Sequence, residues 1–225
     1  FGEGDHELNL EVLARKFHGR RIVRLMATSG LDVESVIDAV GKTPLPPYIK
    51  RTADAADRER YQTMFARVRG SVAAPTAGLH FTPALLAALE GCGIEWTRVT
   101  LHVGYGTFEP IRSEWIEEHR VWTERFDITE SAADRINRAR DDGRRVVAVG
   151  TTTTRALETS ARRGGGLISA GSAETDLYIQ PGHDFRVVGG LLTNFHLPKS
   201  SLLVLVSAFA GRQRILAAYR EAVSR

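Results

Sequence analysis

Cysteine is almost absent: Cys92 stands alone in 225 residues. A disulfide framework and a cysteine-built zinc site are therefore excluded within one chain, and a reducing compartment is expected. Long apolar runs are also missing. The longest, Leu202–Phe209, is interrupted by Ser207 and falls far short of the ~20 residues that cross a bilayer. No signal-peptide pattern is seen, and the first residue is Phe1 rather than Met, so the natural N-terminus is expected to lie elsewhere. Lysine is scarce too, since 26 of the 30 cations are Arg. Arg forks grip phosphate and stack on bases, although codon usage in a GC-rich genome is the simpler explanation of the bias. No internal repeat and no low-complexity tract is found.

What remains is the balance of an ordinary globular protein, with 43% hydrophobic and 25% charged residues. That excludes a wholly disordered chain, and 225 residues bury a full core without disulfides or metals. The net charge of +3 permits a nucleic-acid partner without requiring one.

Residues 1–43 differ from the rest. Arg21–Leu25 alternates like a strand and Val33–Val40 reads as a short helix ended by Gly41, but the segment holds too few apolar residues to fold alone. It reads as the terminal part of a small β domain with a connector, ahead of a catalytic domain over 44–225. From Pro44 onward, strands alternate with helices. Thr82-Pro83 starts a helix with Leu85, Leu86 and Leu89 on one face, and Thr129 caps another that stops at Gly143. Trp96–Val103, Arg145–Val149, Leu177–Ile179, Arg186–Val188 and Leu191–Thr193 are strand candidates, Arg155–Ala161 is a third helix, and Ser200–Ala210 and Arg212–Val223 are the last two. Arg162–Gly166 and Ser169–Ala173 read as loops. This alternation implies an α/β fold with a largely parallel sheet or barrel, whose chemistry sits at the carboxyl ends of strands.

That rule selects the polar segments Thr100–Pro110, Val149–Arg155 and Leu192–Ser200, and a fourth, Ala73–Phe81, precedes the first clear helix. Three deliver a histidine: His80, His102 and His196. Val149–Arg155 runs through Gly150 into four threonines, a donor-rich cup suited to an anion or a ribose. It is not a Walker loop, because the second glycine and the lysine are absent. Each histidine alone is more often a satisfied structural group than a catalyst. Four such segments together point to an enzyme, without specifying its reaction.

The same segments carry a resemblance. Pro44–Ile49, Arg60–Thr63, Ala-Pro-Thr-Ala-Gly-Leu-His-Phe at 74–81, Thr100–Phe108, Ala148–Glu158 and Thr-Asn-Phe-His-Leu-Pro-Lys-Ser at 193–200 resemble the S-adenosylmethionine:tRNA ribosyltransferase-isomerases of queuosine biosynthesis, in order from about Gly41 to Tyr219. The resemblance implies a distorted α/β barrel with a small all-β domain inserted near its start. It implies transfer of the ribosyl part of S-adenosylmethionine, as co-substrate, to 7-aminomethyl-7-deazaguanine at the tRNA wobble position. The product is epoxyqueuosine-tRNA, and adenine and methionine are released. No metal and no membrane are expected, and a cytoplasmic monomer is. Relative to the family, the start of the barrel and an aromatic-rich tail are not in this sequence, which is therefore expected to be a fragment or part of a longer protein. Where the family pattern has His-x-Met-His-x-Glu, this chain has His119-Arg120-Val121-Trp122-Thr123-Glu124, with Trp122 at the second His.

The implied chemistry needs a general base near the 5′ carbon that the sulfonium acidifies, a proton or strong hydrogen bond for departing adenine, and a neutral attacking amine. His102 is the first choice as base, with His80 and His196 behind it. Glu124 or Glu158 could hold a cation by charge, with Glu158 equally readable as an ordinary helix carboxylate. Tyr105, Gly106, Thr107, Gly150, Thr151, Thr152, Thr153, Arg155, Asn194 and Lys199 are candidates for substrate contacts, and Phe108 for stacking. Lys50, Arg51, Arg60 and Gln62 are candidates for tRNA phosphates. Two alternatives remain: a tRNA-binding homologue that has lost catalysis, and an unrelated barrel enzyme on a small phosphorylated substrate.

Overall fold

A computed structural model describes residues 2–3, 6–15, 21–28 and 30–225, the side chains of Glu3, Tyr105 and Phe108 excepted. The chain divides into two compact units, 1–43 with 52–58, and 44–51 with 59–225.

In the first unit, β1 (Gly2–Glu3), β2 (His6–Arg15) and β3 (Arg21–Ala27) form an antiparallel sheet in that order, with a register shift between Val12 and Ala14. Helix α1 (Val33–Val40) packs on β2 and β3 and buries Val36 completely. Its start is set by Asp32, whose Oδ1 accepts from the Ser35 amide at 3.0 Å. The one-turn helix α2 (Asp57–Arg60) follows in sequence.

In the second unit the helix starts follow the same chemistry. Thr82 accepts from the Leu85 amide and opens α3 (Pro83–Gly91). After β4 (Thr100–His102) and β5 (Glu124–Ile128), Thr129 accepts from the Ala132 amide and opens α4 (Glu130–Asp141). The remaining elements are β6 (Val146–Val149), α5 (Thr151–Arg163), β7 (Gly171–Thr175), β8 (Val188–Leu192), α6 (Ser201–Ala210), which is capped by Ser200, and α7 (Arg212–Ser224). The apolar faces of α4 (Ala132, Ala133, Ile136) and α5 (Ala156, Leu157, Ala161) share one core with Phe126, Ile128, Ala148 and Val188 from the strands. A smaller core gathers Ile179, Leu205 and Val206.

The architecture is mixed α/β, but the sheet arrangement differs from the expectation. Among the described residues only β6 and β8 are parallel, β4-β5-β7 is antiparallel, and no barrel closes. The crossover through α4 leaves β5 for a different sheet, so alternation of elements does not make one parallel sheet here.

Local differences have identifiable causes. The expected loop at 169–173 instead enters β7, because β5 offers an edge that pairs Phe126 with Ala173 and Ile128 with Gly171. Leu177–Ile179 forms no strand; its apolar side chains go to the core around Leu205. The four threonines are the first turn of α5, not a loop before it. Gly150 makes the turn at φ 96°, and the Thr153 and Thr154 hydroxyls donate back to the Val149 and Gly150 carbonyls at 2.8 and 3.2 Å. Among the described residues, no single helix is long and apolar enough to cross a membrane.

Candidate active site

The parallel pairing of β6 and β8 brings their carboxyl ends together, and the Gly150 amide donates to the Leu192 carbonyl at 2.9 Å. Beyond that point the two strands feed the α5 turn and the loop 193–200. A cleft of about 540 Å³ opens there, lined by 150–153, 193–198 and 74–77, with Leu101, Val103, Thr107, Glu109 and Tyr48. Each of the four polar segments singled out from sequence contributes to its wall.

One wall is the amino end of α5. The first amides of a helix have no partner within it and carry partial positive charge. Behind this wall Glu124 and Arg155 form a buried ion pair, 3% and 8% exposed at their side chains. Arg155 also donates to the carbonyls of Leu177 at 2.9 Å, Trp122 at 3.1 Å and Thr175 at 3.4 Å. With its fork committed, Arg155 acts as a structural clamp between α5 and the β5–β7 ends, in place of the expected substrate contact. Glu124 meets Arg155, the Gly104 amide and Thr152. Burial pushes its carboxyl up, and those three partners pull it back. It reaches the cleft through Thr152 and does not line it.

The three histidines are separated by geometry. His102 lies on β4 between Leu101 and Val103, which line the cleft; successive strand side chains point to opposite faces. Its ring packs instead over Gly70, where an added Cβ would come within 2.5 Å of Nδ1. The first-choice base is thus outside the cleft lining. His196 lines the cleft, and burial lowers its pKa to about 4, so the ring is neutral at physiological pH. Its Nε2 lies 3.2 Å from Thr193 Oγ1. The Tyr219 hydroxyl fixes its backbone, accepting from the amide at 2.6 Å and donating to the carbonyl at 3.0 Å. His80 is exposed at the rim. Its Nε2 accepts from Asn194 Nδ2 at 3.0 Å, while Thr76 Oγ1 donates to Asn194 Oδ1 at 3.0 Å. Asn194 and Thr76 both line the cleft.

Other candidates are placed differently from expectation. Glu158 is fully buried away from the cleft, and its carboxylate accepts from the amides of Arg186, Val187 and Val188 at 2.9, 3.0 and 2.9 Å. This is the structural alternative left open by its helix position. The side chain of Lys199 is exposed and not in the lining; its backbone sits at φ 56° and its carbonyl accepts from the Ile111 amide at 2.6 Å. Gly106 makes room for the Trp122 ring, not for substrate, since an added Cβ would meet Trp122 Cγ at 2.3 Å. Gly150, Thr151, Thr152, Thr153, Thr107 and Asn194 do line the cleft. The Tyr105 and Phe108 side chains lie outside the described set. Lys50, Arg51, Arg60 and Gln62 are all exposed. Sequence reasoning placed Glu109 in the Thr100–Pro110 segment without giving it a role, and missed Tyr219. Nothing local marked Tyr219. No group of three or more His, Cys, Asp or Glu among the described residues could hold a metal ion.

Comparison with known proteins adds an independent line. The family model described as queuosine biosynthesis protein matches residues 2–225. Proteins named S-adenosylmethionine:tRNA ribosyltransferase-isomerase are similar: that of Heliobacterium modesticaldum is 50% identical over 99% of this chain and 64% of its own length. That of Sorangium cellulosum is 53% identical over 98% and 59%, and that of Geobacter sulfurreducens 56% identical over 88% and 57%. A crystal structure of S-adenosylmethionine tRNA ribosyltransferase from Thermotoga maritima is 33% identical, with a TM-score of 0.52 over 98% of this chain and 58% of its own. The chain thus spans about 60% of the length of the relatives it matches.

Proposed function

Because this chain belongs to the queuosine biosynthesis protein family, we propose that it forms the catalytic part of an S-adenosylmethionine:tRNA ribosyltransferase-isomerase. The reaction proposed is transfer and isomerisation of the ribosyl moiety of S-adenosylmethionine onto 7-aminomethyl-7-deazaguanine in the tRNA wobble position. Epoxyqueuosine-tRNA forms, and adenine and methionine leave. The observation that carries this reading beyond the names of relatives is the cleft itself. It joins the α5 amino end, a neutral histidine and a carboxylate within one enclosure suited to a zwitterionic sulfonium nucleoside.

In this reading His196 replaces His102 as the general base. It borders the cleft and is unprotonated at the pH of the reaction; burial makes it a weaker base than a free imidazole, so its place in the cleft and not its basicity carries the choice. The amides behind Gly150 and the Thr151 and Thr152 side chains contact the substrate carboxylate or ribose. Asn194, oriented by Thr76 and His80, contacts substrate at the rim. Glu124 and Arg155 keep the α5 turn in place. Lys50, Arg51, Arg60 and Gln62 are proposed to meet tRNA phosphates, a contact that weakens steeply with salt.

The finer architecture proposed for the whole protein is a distorted α/β barrel carrying a small all-β insertion, to which the first unit belongs. A cytoplasmic monomer without metal or membrane association completes the proposal. The test uses full-length protein with S-adenosylmethionine and tRNA carrying the aminomethyl base. Adenine and methionine are expected in equal amounts and only with that tRNA. Formation of S-adenosylhomocysteine would show methyl transfer and refute the reading, and tRNA binding without turnover would favour a binding homologue.

A further inference from the structure

We propose that Glu109 is the cation-facing carboxylate of the cleft and that Trp122 is the residue that positions it. The inference deepens the proposed function and rests on it for the identity of the ligand. Among the described residues lining the cleft, Glu109 is the sole carboxylate. Its backbone is fixed from the side of the 193–200 loop. Pro110 bridges Ser200, and the Ile111 amide donates to the Lys199 carbonyl at 2.6 Å. Its side chain is fixed from the other side, where Trp122 Nε1 donates to Glu109 Oε2 at 2.6 Å.

The indole can reach that far because residue 106 is glycine. Its ring lies so close that a Cβ there would fall 2.3 to 2.7 Å from Cγ, Cδ1 and Cβ of Trp122. Trp122 is held in turn by its own carbonyl, which accepts from the buried Arg155 fork at 3.1 Å. A carboxylate offers about four lone-pair directions, and the indole uses one. The α5 amino end on another wall favours negative charge, so the cleft is polarised. A ligand bearing a sulfonium together with a carboxylate is oriented by that polarity, with its sulfonium toward Glu109.

The test compares binding of S-adenosylmethionine with that of its neutral thioether, S-adenosylhomocysteine, by calorimetry at low salt on the full-length protein. Wild type is expected to prefer the sulfonium. Glu109→Gln keeps an acceptor for the indole but removes the charge, and is expected to lose about tenfold in sulfonium affinity with the thioether unchanged. Trp122→Phe keeps a ring against Gly106 but deletes the donor, and is expected to lose roughly threefold in the same preference. Preference retained in Glu109→Gln, or equal binding of the two compounds by wild type, overturns the proposal while leaving the proposed reaction standing. Retained preference in Trp122→Phe overturns the positioning role. Wild type that binds neither compound brings down the functional reading and this proposal together. Melting curves accompany each variant; if Glu109→Gln does not fold, Glu109→Asp, which keeps the charge but withdraws it by one carbon, is expected to weaken the preference, and an unchanged preference overturns the proposal.

Discussion

Replacing Glu158 with alanine should damage folding, not chemistry. The carboxylate is fully buried and accepts from three consecutive amides, those of Arg186, Val187 and Val188, at 2.9 to 3.0 Å. These amides lead into β8, whose far end carries the loop with Asn194 and His196. A buried donor left without a partner costs about 1–3 kcal/mol. Three such donors share one acceptor and lose it together, so the costs are not additive. Water entering the vacated volume lowers them further, and a net loss of about 3–5 kcal/mol is expected. That is a large share of the ~5–15 kcal/mol by which domains are stable. Glu158→Gln distinguishes the bonds. Its oxygen still serves Val187 and Val188, which both use Oε1, but its amide nitrogen turns a donor toward the Arg186 N–H. A loss of about 1–2 kcal/mol follows. Urea unfolding of the three proteins, followed by circular dichroism, reads these differences. An alanine variant as stable as wild type but without turnover would refute the argument and return Glu158 to the catalytic group.

The histidines give the next two tests. His196→Ala should lower single-turnover chemistry by the ~10²–10⁴ typical of a general base, and His102→Ala should leave chemistry per folded molecule within about threefold; the reverse ranking would reinstate His102. His196 has a folded pKa of about 4, below its usual 6.5, so the fold favours the neutral ring. Its contribution to stability is therefore full above pH 6.5 and is lost as pH falls toward 4; allowing for partial exposure it is about 1–3 kcal/mol. Melting temperatures of wild type and His196→Gln between pH 7.5 and 5 should converge at the acid end, and parallel curves would contradict it. Gly106→Ala should push the Trp122 ring out of place, costing about 1–3 kcal/mol and shifting tryptophan emission to the red; unchanged emission and stability would show that the ring has room to move.

Helix starts were legible because capping is local. Thr82, Thr129 and Ser200 each accept from an amide three residues on, so a short window of sequence contains the whole interaction. Three of the cleft segments were legible for a related reason: each is a strand end followed by a short polar turn. Strand β7 was not, because Gly-Ser-Ala-Glu-Thr has no strand signal of its own and forms only where β5 presents an edge more than forty residues away.

His102 is a different kind of miss. The alternation Leu101-His102-Val103 was available, and it puts the histidine on the face opposite its two neighbours. Deciding which face meets substrate needs the third dimension. Here the apolar pair lines the cleft and the imidazole meets Gly70, a contact between residues thirty-two positions apart.

Glu158 makes the limit sharper. It stands four residues after Thr154 and three before Ala161, both fully buried, so its helix face was the buried one. A carboxylate on a buried stripe must be satisfied either by protein donors or by a ligand. The donors that satisfy it begin twenty-eight residues downstream, in a segment whose approach to α5 depends on the parallel pairing of β6 and β8. Periodicity alone therefore locates such a residue without deciding its occupation. The three amides decide it, because they take three of its roughly four lone-pair directions on a carboxylate that burial closes to substrate.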